Sequence, residues 1–239
     1  METSAIPAAG QTFSAQQVPG FQDLLRKAGA VHGSAAAALS LAGDFAGAAP
    51  LPGTGRTKTL WSLLAAVAAA DLTAARALEP HTDALAILAQ AGVPADPGSW
   101  GVFAAEGPGM AVTATAVDSG WELTGRKPWC SLAARLDYAV VTAHTGDGRR
   151  RAFAVDLGQP AVTPVPGTWV SRGLADVDSG PVDFDRAAAR PVGEDNWYLE
   201  RPGFAWGGMG VAACWYGGAA AVARRMFSAA AEREPDQIA

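Results

Sequence analysis

Gly53-Thr-Gly-Arg-Thr-Lys58-Thr59 is the stretch that comes nearest to a phosphate loop. Such a loop needs a second glycine directly before the lysine, so that consecutive amides and the ammonium surround the phosphates. Thr57 stands in that place and no strand precedes it, so a linker is the better reading. Gly208-Met-Gly210-Val-Ala-Ala213 fits the looser dinucleotide fingerprint, which works only between a parallel strand and a helix. Arg201-Pro-Gly precedes it here, so these glycines are read as letting one helix approach another. His32, His81 and His144 are not spaced as metal ligands, and no Gly-x-Ser-x-Gly elbow supports a hydrolase triad. Asp71, Arg76 and Glu79 fall on one predicted helix, where Arg76 and Glu79 can pair at i,i+3 as a structural or interface network. Of eight tryptophans, most are expected as core or interface anchors, with Trp129 set apart.

Composition narrows the classes. The 239 residues are 49% hydrophobic and 17% charged, enough apolar content for a real core in one large or two small domains. A net charge of −5 gives no reason to expect nucleic acid. Two cysteines, Cys130 and Cys214, make neither a disulfide framework nor a Cys-x-x-Cys metal site. No signal peptide is evident at Met1-Glu-Thr-Ser4. The apolar stretches 60–70 and 209–223 are too short to span a bilayer. A cytoplasmic protein without a membrane span is expected.

The elements that must position any site come in three blocks: 1–97 helical, 98–196 barrel-like, 197–239 helical again. A helix is predicted over Gln17–Ala30, and Ser34–Gly53 is Ala- and Gly-rich. Thr57 or Thr59 caps a helix carrying the stripe Leu60, Leu63, Leu64, Val67, Ala74 and Leu78. Glu79-Pro80 ends it, and Thr82 caps the next. Near Ser99 the period drops to two. Strands are predicted at 100–105, 112–117, 121–124, 138–143, 151–157, 161–165 and 181–184, which suggests a small antiparallel barrel or sandwich. From Phe204 the chain is helical and Ala-rich. The fold class is therefore α+β.

The stretch Leu123-Thr-Gly-Arg-Lys127-Pro-Trp129-Cys130-Ser131 resembles a signature of the acyl-CoA dehydrogenase family. Ala134–Ala143, Val182-Asp-Phe184-Asp185, Arg190-Pro-Val-Gly193 and Pro202-Gly203-Phe204 resemble further landmarks of it, in family order. Upstream, Asp71-Leu72, Ala75-Arg76, Glu79-Pro80-His81 and Ala84 look like its N-terminal helices. The resemblance implies FAD, an acyl-CoA thioester substrate and an electron-transfer acceptor, with flavin taking hydride from the β-carbon. By position, Trp129 with Cys130 and Ser131 would flank the flavin ring, Phe103 and Ala105 would line it, and Arg233 would reach the cofactor phosphates.

Departures shape the expectation. Ala105 replaces a family threonine, and the Gly-Ser-Asp stretch after Glu106 is missing. Gly207 and Gly208 stand where some members place the catalytic glutamate, so no catalytic residue is assigned, with Glu106 the first carboxylate to consider. The sequence ends just inside the first helix of the family's C-terminal bundle, which leans towards truncation. A flavoprotein dehydrogenase inactive as this chain alone is the leading reading. A non-catalytic subunit pairing with a complete dehydrogenase, and a flavin-free scaffold, are the alternatives. Either homo- or hetero-oligomerisation is expected, because the last helix has apolar residues left over.

Overall fold

A computed structural model describes residues 18–146 and 148–231. Three short helices open the described chain: α1 (Phe21–Gly29), α2 (Ala35–Leu39) and α3 (Ala42–Ala48). The Ser34 hydroxyl caps α2 by accepting the Ala37 N–H, so this Ala-rich stretch is mostly helical. Two longer helices follow, α4 (Thr57–Ala70) and α5 (Leu72–Gln90).

The predicted break between these helices is displaced. It falls at Asp71, whose extended backbone leaves its carboxylate free to accept the N–H groups of Ala74 and Gly33, both at 2.9 Å. A side-chain cap there is worth about 1 kcal/mol. Pro80, expected to end a helix, lies inside α5 instead. Thr82, expected as a cap, donates to the Glu79 carbonyl at 2.9 Å and belongs to the continuous helix. Burial of Ala77, Leu78, His81, Ala84 and Ile87 around the proline explains why α5 continues. Packing outweighs a local penalty of about 3 kcal/mol.

Seven strands build the sheet: β1 (Trp100–Phe103), β2 (Val112–Val117), β3 (Gly120–Lys127), β4 (Tyr138–Gly146), β5 (Arg149–Asp156), β6 (Val162–Pro164) and β7 (Val182–Val192). Pairings β4–β2, β2–β3, β3–β7, β7–β5 and β5–β4 close a five-stranded ring. Short β6 adds to β7, and β1 adds to β4 in parallel, Trp100 opposite Tyr138 and Phe103 opposite Val141. One bulge bends the ring: Leu123 faces Ala187 and Thr124 faces Asp185, so Arg186 is the extra residue, at φ 55°. Strand β7 continues far beyond the 181–184 expected, because its alternation is masked by Asp, Arg and Ala.

Phe103, Val112, Leu123, Val141, Phe153 and Phe184 are among the buried side chains of the main core. A second cluster, including Ile87, Leu88, Trp100, Val140 and Val192, fixes α5 to the outside of the barrel. The His81 Nδ1 accepts the Trp100 N–H at 3.2 Å across that seam, and burial holds its pKa below the usual histidine range. A short α6 (Trp197–Glu200) leads into the long α7 (Phe204–Ala231), which packs on α4 and α5. Gly217 is required there, because a Cβ on it would overlap the Ala65 carbonyl oxygen. The glycines of the apparent dinucleotide fingerprint thus include Gly210, which admits α7 to within van der Waals contact of Glu79 and Leu64. No described helix is long and apolar enough to cross a membrane.

Candidate functional site

Strand β3 delivers Lys127, after which the backbone turns sharply: Trp129 sits at φ 54° and Leu132 at φ 61°. Between them the chain runs alongside residues 178–180. The Cys130 N–H donates to the Gly180 carbonyl at 2.9 Å and the Leu132 N–H to the Asp178 carbonyl at 2.7 Å. Alternation along such a segment sends odd and even side chains to opposite sides. Cys130 and Leu132 go into the core, and Trp129 and Ser131 go to the surface side. Trp129 is 51% exposed, a high value for an indole held in a left-handed backbone. That conformation costs a non-glycine residue on the order of 1 kcal/mol and persists only where surrounding contacts enforce it.

The loop leaving β1 completes a shelf. Ala105 is exposed, and an ideal Cβ at Gly107 would lie 3.4 Å from each of Met110, Pro128 and the Trp129 ring. The Ser131 and Ser179 hydroxyls share a hydrogen bond of 2.8 Å at its other side. The shelf therefore offers an aromatic face, a small residue and a hydroxyl pair.

A polar layer lies next to the loop. Glu106 accepts a hydrogen bond from Arg150 and lies 3.0 Å from His144 Nε2. Lys127, 1% exposed, points inward like Leu123 four positions before it. Its ammonium donates to the Thr142 carbonyl at 2.7 Å and to the Thr142 hydroxyl at 2.9 Å. Burial lowers its pKa to about 8, against the opposing pull of the Glu106 charge. A cavity of about 340 Å³ opens beside this layer, lined by Ala104, Thr142, Arg150, Arg151, Asn196 and Tyr198 among others.

The residues expected to hold a cofactor thus separate. Trp129 and Ser131 lie on the surface side of one turn, and Ala105 is exposed in the loop whose Gly107 borders the Trp129 ring. Phe103 is buried in the main core at 2% exposure, and Cys130 is buried with its thiol 3.4 Å from the Lys127 carbonyl. Burial pushes the Cys130 thiol up to about 12, which leaves it a packing group at neutral pH. Arg233 lies outside the described residues. Sequence reasoning missed Ser179, Thr142 and Arg150, whose partners lie 48, 15 and 44 positions away. It passed over His144 as merely scattered. For Lys127 a signal existed: it shares the inward period of Leu123.

No family model matches the sequence, and no curated protein matches it. Solved structures do. TdsC from Paenibacillus sp. A11-2, in complex with FMN and indole, aligns with 74% of this chain at TM-score 0.52 and 21% identity. PigA in complex with FAD aligns with 92% at TM-score 0.71 and 16% identity. The nitrososynthase from Micromonospora carbonacea var. africana aligns with 96% at TM-score 0.69 and 19% identity. The chain shares their fold. It is the acyl-CoA dehydrogenase-like fold, the one the sequence resemblance implied. This chain spans 55% of TdsC, 69% of PigA and 71% of the nitrososynthase.

Proposed function

We propose that the chain is the flavin-holding part of a flavin-dependent oxidoreductase. The observation that carries this is the solvent-facing Trp129 beside the Ser131–Ser179 hydroxyl pair. A flat ring with polar edges needs an apolar face and donors at its rim, and the shelf supplies both. A flavin bound there would supply the hydride and electron chemistry. Trp129 would stack against the ring, Ser131 would donate to its edge, and Ala105 leaves room for it. FMN and FAD occupy the related folds of TdsC and PigA, so both are candidate cofactors.

Acyl-CoA dehydrogenation, with an electron-transfer acceptor, is the chemistry that the sequence resemblance suggests. It needs a carboxylate free to take the α-proton. Glu106, the carboxylate beside the shelf, is instead engaged by Arg150 and His144. That engagement favours a second reading, oxygen transfer by the flavin. Dibenzothiophene monooxygenase activity is attributed to TdsC and nitroso-group synthesis to the Micromonospora enzyme. A subunit that holds the flavin while a partner supplies the remaining groups is compatible with either chemistry.

The test is a visible absorption spectrum after incubation with FMN or FAD and gel filtration. A retained, shifted flavin band that Trp129→Ala abolishes supports the shelf. A colourless protein with both flavins overturns it. Glu106→Gln separates the chemistries in the flavin-loaded protein. Loss of dye reduction with an acyl-CoA supports dehydrogenation, and unchanged flavin-dependent oxygen uptake supports oxygen transfer.

A further inference from the structure

Lys127 is a buried cation whose hydrogen-bond acceptors are both neutral, the Thr142 carbonyl and the Thr142 hydroxyl. Strand β3, which carries it, and β4, whose Thr142 it bonds, put Leu123 and Val141 into the main core. Glu106, the carboxylate whose charge it feels, accepts from Arg150 and lies against His144. The layer thus holds two fixed cations, Lys127 and Arg150, to one carboxylate. Two hydrogen bonds to neutral groups return only part of the cost of desolvating an ammonium. A methionine of similar volume would fill the same space without that cost. Burial lowers the Lys127 pKa to about 8, which still leaves it mostly charged at pH 7.

The ammonium also ends a ladder. Strands β1 and β4 run parallel as far as Phe103 opposite Val141, starting from the Tyr138 N–H on the Ser99 carbonyl. Continued in steps of two from there, the ladder would next join the Ala105 N–H to the Thr142 carbonyl. Lys127 takes that carbonyl instead, and the Ala105 N–H has no partner among the described residues. The Thr142 hydroxyl, 3.4 Å from the Ala104 carbonyl, ties the ammonium to the same loop. Lys127 stands two residues before Trp129, so their Cα atoms are at most about 7 Å apart. The ammonium lies on the core side and the indole on the surface side. A ring stacked on Trp129 would therefore sit on the order of 10–15 Å from the charge.

We propose that Lys127, without touching the ligand, raises the reduction potential of a flavin held at the shelf through its buried charge. This rests on the flavin reading above. Two-electron reduction of a flavin takes up one proton at neutral pH and leaves a negative charge on the ring, a product that a fixed cation favours. A unit charge at that distance, at a protein's effective dielectric, changes such an equilibrium by about tenfold.

The experiment is a dithionite titration against a reference dye at pH 7, on FMN- or FAD-loaded wild type, Lys127→Met and Lys127→Gln. Methionine removes the charge and both hydrogen bonds, whereas glutamine removes the charge and can still donate to the Thr142 carbonyl. Both variants should keep the flavin and titrate about 30 mV more negative than wild type, the equivalent of tenfold for two electrons. Thr142→Val retains the ammonium and should stay within about 10 mV of wild type. If Lys127→Met fails to fold, Lys127→Gln carries the test alone. A colourless wild-type protein overturns the flavin reading and this inference with it. A yellow protein whose neutral variants keep the wild-type potential overturns this inference alone. So does a drop confined to Lys127→Met, which would assign the effect to the hydrogen bond. An equal drop in Thr142→Val would assign it to packing, and a folded variant without flavin would make Lys127 a binding residue, each overturning it as well.

Discussion

Two buried polar clusters stabilise this molecule in different ways. In the helical layer, Arg76 Nη1 holds Glu79 at 2.8 Å, and Arg201 donates to Asp83 at 3.2 Å and to Gln90 at 2.9 Å. This cluster is sealed under the glycines of α7, and burial raises Glu79 to about 7 despite the Arg76 charge beside it. At the barrel, Lys127 is equally buried but bonds to a backbone carbonyl and a hydroxyl, while Glu106, His144 and Arg150 stay partly open to solvent. The sealed cluster has opposite charges neutralising one another, so it serves assembly. The barrel cluster keeps a cation inside and a polar rim outside, next to the shelf, so it can serve a ligand. Burial alone therefore does not distinguish structural from functional charge; access does.

The comparison can be broken first at the helical seam. Gly217→Leu should destabilise by about 3 kcal/mol or more, or prevent folding, because backbone lies where the side chain would go. Gly208→Ala, with open space around its Cβ, should be neutral to stabilising by about 0.5–1 kcal/mol. Denaturant unfolding of both variants measures the contrast.

The two clusters should also respond oppositely to pH. Glu79 has a folded pKa raised from 4.5 to about 7, so the folded state binds the proton more tightly. Its contribution is complete below pH 4.5 and is lost as pH rises through 7, by on the order of 3 kcal/mol. Lys127 is lowered from 10.5 to about 8, so the unfolded state binds the proton more tightly. Its penalty is complete below about pH 8 and is relieved as pH rises towards 10.5, by a similar order. Unfolding free energies across this range should fall and then rise. Glu79→Gln should flatten the lower limb and Lys127→Met the upper. Either limb persisting in its variant would assign that slope to another group.

Smaller effects sharpen the picture. Asp71→Ala should cost about 1 kcal/mol, since the cap of α5 and the Gly33 contact are lost together. Trp129→Ala should cost only about 1–2 kcal/mol of stability, because half the ring is already exposed, yet remove flavin retention. A large stability loss would make Trp129 a packing residue instead.

Legibility followed the range of the interactions. Val112–Val117 announced a strand by alternation, with one face buried and the other largely exposed, and Tyr138–Ala143 by a short apolar run that is buried on both faces. Strand β7 was mostly hidden, since Arg186 sits in a bulge and Ala187–Ala189 carry little contrast. The break at Asp71 was hidden too: Ala-rich sequence on both sides reads as one helix, and Pro80 looked like a stop. Of the shelf, Trp129 and Ser131 were available from their local signature. Ser179 was not, because only the fold brings it within 2.8 Å of Ser131.

Closure of the barrel has a consequence for synthesis. Trp121 pairs with Ala189 and Lys127 with Val182, so the ring cannot shut until residues beyond 190 have left the ribosome. At about 5–20 residues per second, the N-terminal helices, complete at Gln90, wait roughly 5–20 s for it, and longer for α7 to cover Leu64 and Glu79. Until then the Leu60, Leu63, Leu64 and Leu78 stripe of those helices stays uncovered on the side that α7 later seals.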